Sequence, residues 1–171
     1  DPDGNGGGVN GNGSTYVAWN WKAGGTASSN TNGTITSSVS ANASAGFSIV
    51  SWTHGSGSQS IGHGLSQKPD MIIVKGRSNV SSWWTWHKGL SSETQSFIHV
   101  DTTSAAGANV NAWNNQAPTA SVFYQKEYIL SSGDTGIAYC FHSVDGYSKV
   151  GSYIGNGNVD GVFVHCGFKP A

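Results

Sequence analysis

The side chains of this sequence best suited to chemistry are its tryptophans. Trp83, Trp84 and Trp86 lie almost side by side. An exposed indole presents a flat apolar face that matches the C–H face of a pyranose ring, while its N–H stays available for a hydrogen bond. In an extended strand Trp84 and Trp86 share one face and Trp83 points to the other. Whichever face turns inward, at least one of the three is buried, so core packing competes with sugar stacking for these residues. Trp113 stands among Asn111, Asn114 and Asn115, whose amides suit sugar hydroxyls. Trp83, Trp84, Trp86 and Trp113 are therefore the candidate carbohydrate-binding residues.

A second candidate is a cation loop. Asp1, Asp3 and Asn5 supply oxygens at the first, third and fifth positions, with Gly6 following, which is how a calcium loop opens. The closing Glu is missing, because Asn12 holds its place. Calcium would need a distant carboxylate or backbone carbonyls, and a Gly-rich linker accounts for the same residues more simply. No other cofactor is implied. The six histidines, His54, His63, His87, His99, His142 and His165, are dispersed without metal-ligand spacing. His63 sits between two glycines, as in a turn, and His87 reads as a packed or hydrogen-bonded strand residue. The carboxylates beyond the first residues fall mostly in Gly- or Ser-rich turns, and no nucleophile elbow occurs. A glycan-cleaving enzyme, which needs two carboxylates facing across a cleft, ranks last among the readings. Cys140 and Cys166 each fall in a strand-like run; the sequence is compatible with one disulfide between them or with two buried thiols.

The framework that must position these groups is read from composition first. A chain of 171 residues suits one domain and can bury roughly 70% of its unfolded surface. Its seven Trp, six Tyr and six Phe can anchor a core although the apolar fraction is only 36%. Eight basic and nine acidic residues are scattered, so no basic stripe exists to displace counterions from a nucleic acid. Apolar runs are too short for membrane insertion. The Asn-x-Ser/Thr sequons at Asn12, Asn32, Asn42 and Asn79 are what chance produces in so Ser- and Asn-rich a chain. The chain starts at Asp1 rather than Met, which leads to the expectation of further chain upstream.

Short alternating runs recur along the chain. They are Thr15–Trp21, Phe47–Thr53, Met71–Lys75, Trp83–His87, Ser96–Val100, Ser121–Tyr124, Gly136–His142, Tyr147–Ile154 and Gly161–Cys166. Val, Ile, Thr and aromatic residues dominate them, and Gly, Asn, Ser or Pro separates them, which predicts strands and turns. The segment Thr26–Ala45 reads as a polar loop carrying a peripheral strand around Thr34–Ser40.

Internal repetition is the most informative feature. Residues 12–22 align with 132–142, so that Trp19 and Trp21 correspond to Tyr139 and Phe141. Gly46-Phe47-Ser48-Ile49-Val50 aligns with Gly146-Tyr147-Ser148-Lys149-Val150, and Gln67-Lys68-Pro69 with Phe168-Lys169-Pro170. Two organisations fit this order. In one, residues 1–13 are a linker or the tail of a preceding repeat, and 14–171 is a sandwich domain, one repeat unit plus the start of the next. In the other, two diverged halves pair around a pseudo-twofold. The array organisation predicts that Thr15–Lys22 and Gly136–His142 occupy equivalent strands.

Several of these runs carry a family resemblance. Residues 13–25 (GSTYVAWNWKAGG), 45–51 (AGFSIVS) and 62–75 (GHGLSQKPDMIIVK), together with 86–90, 118–123, 137–141 and 151–157, resemble a repeat domain of bacteriophage virion structural proteins. These proteins are tail-fibre-like and come from marine and freshwater phages, sometimes alongside concanavalin-like lectin modules. The departures fall mainly in Ser56–Ser60 and Gln125–Leu130, which read as variable loops. The resemblance covers nearly the whole chain and brings no catalytic residue with it. It implies a virion or extracellular location and partners that are copies of the chain, adjacent repeats or host surface glycans.

The expectation is thus an all-β, antiparallel two-sheet β-sandwich, jelly-roll-like, with an internal pseudo-repeat. Its expected role is a non-enzymatic structural module of a virion or extracellular filament, with a lectin-like adhesion module as the alternative.

Overall fold

A computed structural model describes residue 13, residues 15–16 and residues 18–169 of the chain. The strands are β1 (Ser28–Asn30), β2 (Ser37–Asn42), β3 (Phe47–Thr53), β4 (Gln59–Gly62), β5 (Met71–Gly76), β6 (Trp84–His87), β7 (Ser96–His99), β8 (Gly107–Ala108), β9 (Val122–Gln125) and β10 (Thr135–Phe141). Eight of them form one sheet in the order β1-β2-β3-β10-β5-β6-β7-β8, and β4 with β9 forms the second. Every ladder is antiparallel. The chain is all-β with two sheets, as its alternating runs predict. The late strand β10 returns to lie beside β5, next to the consecutive strands β5, β6 and β7. That is the order of a Greek key.

The core lies between the two sheets. Along β3, Val50 and Trp52 point inward, and across the ladder Val39, Ala138 and Val74 line up with Val50 in one row. Cys140, Ile72 and Trp86 form the next row. Ile61 of β4 and Phe123 of β9 cover these rows, with Leu65, Trp113, Ile129 and Leu130 contributed by loops. Trp52 meets Phe123 edge-on with ring centroids 5.5 Å apart. Each fully buried aliphatic or aromatic side chain of this kind contributes about 1.5–3 kcal/mol. Trp52 fits because β10 opposes it with Gly136; a Cβ there would lie 2.7 Å from the indole and 2.6 Å from Leu130.

Three expectations need correction. β1, β4 and β8 are strands that local pattern did not announce, and β4 and β9 take up parts of Ser56–Ser60 and Gln125–Leu130, read above as variable loops. Tyr147–Ile154 and Gly161–Cys166 are not strands, since no strand follows β10 among the described residues. The described residues of Thr15–Lys22 form no strand either, whereas Thr135–Phe141 is an interior strand of the large sheet. The expected equivalence of these two segments is therefore not realised within the chain. The reason is pairing: a strand persists only where a ladder satisfies its backbone groups, and beyond β10 the described residues form only the isolated Val144–Ser148 bridge.

The edges of the large sheet are short, three residues in β1 and two in β8. Short edges discourage strand addition.

Candidate functional site

The large sheet is apolar on both faces. Opposite the core, Ile49, Tyr139 and Ile73 are direct partners across β3, β10 and β5, and Phe47, Phe141 and Met71 form the adjacent row. The small sheet covers only the inner face. On the outer face the segment around Trp21 lies over the second row: Trp21 meets Phe141 edge-on at 5.5 Å and Phe47 at 6.1 Å, and Phe47 and Phe141 are 4.9 Å apart. Trp83, just before β6, lies near-parallel to Tyr139 with centroids 6.2 Å apart.

Between Trp21 and Trp83 runs a groove of about 610 Å³, floored by Ile49, Ile73 and Tyr139 and flanked by Trp19, Asn20 and Asp101. The Lys75 ammonium lies 6.0 Å from the Trp83 ring and donates to the Ser81 carbonyl. Asp101 accepts the backbone N–H of Trp83 at 3.1 Å, which holds the indole at the rim. Among the described residues Asp101 is the only carboxylate in this lining. Aromatic planes with an amide and a carboxylate at the rim can stack an apolar ring face and hydrogen-bond a neighbouring hydroxyl.

Of the tryptophans singled out from sequence, the groove contains Trp83 alone. Trp86 is fully buried and donates its indole N–H to the Glu93 carbonyl at 2.8 Å. Trp113 is buried and donates to the Ser96 carbonyl at 2.9 Å. Its neighbouring amides hold loops: the side chain of Asn114 accepts from Ser58, and that of Asn115 from Gln95. Trp84 is half-buried among Phe97, His99 and Tyr128. The carbohydrate assignment of Trp86 and Trp113 is thus corrected, since both indoles are buried and donate to carbonyls, while Trp84 lies outside the groove. Sequence reasoning missed Trp19, Trp21 and Tyr139 as groove residues. The available signal is the aromatic-x-aromatic pattern that Trp19 and Trp21 share with Tyr139 and Phe141.

Asp1, Asp3 and Asn5, the calcium-loop candidates, lie outside the described residues. Among the described residues no three His, Cys, Asp or Glu side chains gather as metal ligands would. Cys140 and Cys166 are free thiols, which corrects the possible disulfide. Cys140 is sealed in β10, where burial pushes its thiol up to about 12, and Cys166 lies in the C-terminal segment beyond the sheets.

Most of the other titratable groups hold loops together. Asp134 accepts from Ser78, Asn79 and the Ser131 N–H. Asp70 accepts from Ser143 and pairs with Lys88 at 3.0 Å. His63, read as a turn residue, is fully buried; its Nδ1 accepts the Leu65 N–H and its Nε2 faces the Thr119 carbonyl at 3.2 Å. Burial lowers its pKa to about 4. No helix among the described residues is long and apolar enough to cross a membrane.

Residues 2–171 match Domain of unknown function (DUF7483) over almost the whole chain. The chain belongs to this family. No curated protein and no solved structure matches it. For this DUF7483 member the groove is therefore interpreted from its own geometry.

Proposed function

We propose that this chain is a non-enzymatic structural module of a virion or extracellular filament that assembles with copies of itself. The observation that carries the reading is the exposed apolar surface beyond β10. Val150 is still held by Ser143 at 3.1 Å, and the residues that follow double back, tied by Lys149 to the His165 carbonyl at 2.8 Å and by Asn156 to the Asp160 carbonyl at 2.9 Å. Along this arm Tyr153 is 69% exposed, Ile154 89% and Phe163 86%. Large apolar side chains gathered in water mark a surface that is covered in the working assembly. The resemblance to phage fibre domains points the same way. Light scattering coupled to size-exclusion chromatography, run over a concentration series, is expected to show mass growing beyond the monomer. A monomer at every concentration would remove this reading.

A second reading is favoured by the groove beside Trp83, which suits a saccharide of a host cell surface. Trp83→Ala leaves the core rows intact and removes one wall. Addition of host polysaccharide is expected to change the tryptophan fluorescence of the wild type and to leave Trp83→Ala unchanged. An unaltered wild-type spectrum, with no signal on a glycan array, excludes this reading.

A further inference from the structure

We infer that the groove between Trp21 and Trp83 binds a quaternary ammonium cation of the choline type. This goes beyond the saccharide reading: the groove is the same, and the ligand class is different.

The residues around the groove select for a cation. Six of them are aromatic; Phe47 and Phe141 are buried, whereas Trp19 is 77% exposed and Trp21 55%. Exposed indoles gathered over an apolar floor mark a surface that meets a ligand. Aromatic ring faces are electron-rich and attract cations, most strongly those of Trp. The Trp83 ring already does so within the chain, with the Lys75 ammonium 6.0 Å from its centroid. Among the described residues Asp101 is the only charged group in the lining, so the groove itself carries one negative charge. Asp101 accepts the backbone N–H of Trp83 at 3.1 Å, which fixes the carboxylate beside the indole.

The floor decides which cation enters. Ile49 and Ile73 have side chains without hydrogen-bond acceptors. A primary ammonium carries three N–H donors and holds its water strongly, so an apolar floor costs it desolvation without return. Lys75 shows the effect: its ammonium stays outside the lining and donates to the Ser81 carbonyl. A trimethylammonium group has no N–H to satisfy. Its methyl groups spread the charge and pack against Ile49 and Ile73, while the Asn20 amide is at hand for the choline hydroxyl. Charge also limits what the ligand carries next to its nitrogen. A phosphate or carboxylate a few bonds away would be brought close to Asp101 and repelled. The ligand is therefore a net cation, choline rather than phosphocholine or betaine.

Saturation-transfer NMR on the choline methyl protons, recorded with the full 171-residue chain, tests this. Choline is expected to give a signal that saturates with concentration. Its neutral isostere, in which a tert-butyl group replaces the trimethylammonium, is expected to bind about fivefold or more weakly, the size of a cation–π contact that has lost part of its water. That comparison is made on the wild type and needs no variant. Asp101→Asn keeps an acceptor for the Trp83 N–H and removes the charge; it is expected to weaken choline severalfold and to leave the isostere unchanged. Trp83→Ala is expected to weaken both ligands. Lys75→Gln removes the cation that competes for the Trp83 ring and is expected to tighten choline. Circular dichroism of each variant confirms that the sandwich is retained. No transfer to choline, or equal affinity for choline and its isostere, overturns the inference. So does choline binding that Asp101→Asn and Trp83→Ala leave unchanged, or tighter binding of phosphocholine than of choline. A Trp83-dependent response to host polysaccharide without transfer to choline removes the cation site and leaves the saccharide reading standing. Transfer to choline without a polysaccharide response does the reverse.

Discussion

Trp86→Ala is expected to lower the unfolding free energy by about 3–5 kcal/mol, the range for deleting a large buried aromatic. Trp86 is fully buried and stands in the row with Ile72 and Cys140, so its loss empties the middle of the core rather than its rim. The Glu93 carbonyl loses its indole partner, and the Lys68 ammonium, 5.6 Å from the ring centroid, loses its seat. Single domains are stable by only about 5–15 kcal/mol, so this change removes a large share of the total. A urea titration followed by circular dichroism reads the effect as a lowered midpoint. Trp19→Ala is the control, because an exposed side chain is expected to shift stability by no more than about 0.5 kcal/mol. Equal midpoints for the two variants would contradict the assignment of Trp86 to the core and of Trp19 to the surface.

Acid is expected to weaken the fold well before the carboxylates titrate. His63 has its pKa lowered to about 4 by burial, against an ordinary value of 6.5. Above pH 6.5 the imidazole is neutral in both folded and unfolded chains, and its contribution is fully present. Between pH 6.5 and about 4 the unfolded chain takes up a proton that the folded chain refuses, so stability falls as pH falls. Below about 4 both forms are protonated and the loss is complete. At about 1.4 kcal/mol per pH unit, that window amounts to about 3 kcal/mol. Burial also lowers the pKa of His54 and of His87, which adds loss in the same direction. Denaturation midpoints measured from pH 7.5 to 3.5 are expected to drop across this window. His63→Gln, which keeps an amide donor for the Thr119 carbonyl, is expected to flatten the slope. An unchanged slope in that variant would show that another group dominates the acid response.

By itself the sequence determined the strand class and the position of most strands. Phe47–Thr53 coincides with β3, and Met71–Lys75 and Gly136–His142 differ from β5 and β10 by a residue at their ends. Alternation of side chains and the turn residues that bound a strand are local properties, so they are readable without a partner. Only the tertiary structure decided which locally encoded strands form ladders. Gln59–Gly62 and Ser28–Asn30 have little strand propensity, yet they pair because β9 and β2 lie within reach. Tyr147–Ile154 has the propensity but finds only the isolated Val144–Ser148 bridge, so it stays outside the sheets. The same division holds for the site. Sequence could say that one of Trp83, Trp84 and Trp86 is buried. Which indole faces water depended on β10 entering between β3 and β5, which set the inner row of Trp86 against Ile72 and left Trp83 beside Tyr139. The groove joins residues from opposite ends of the chain. Contacts at such separation are set by sheet order, which no local pattern encodes.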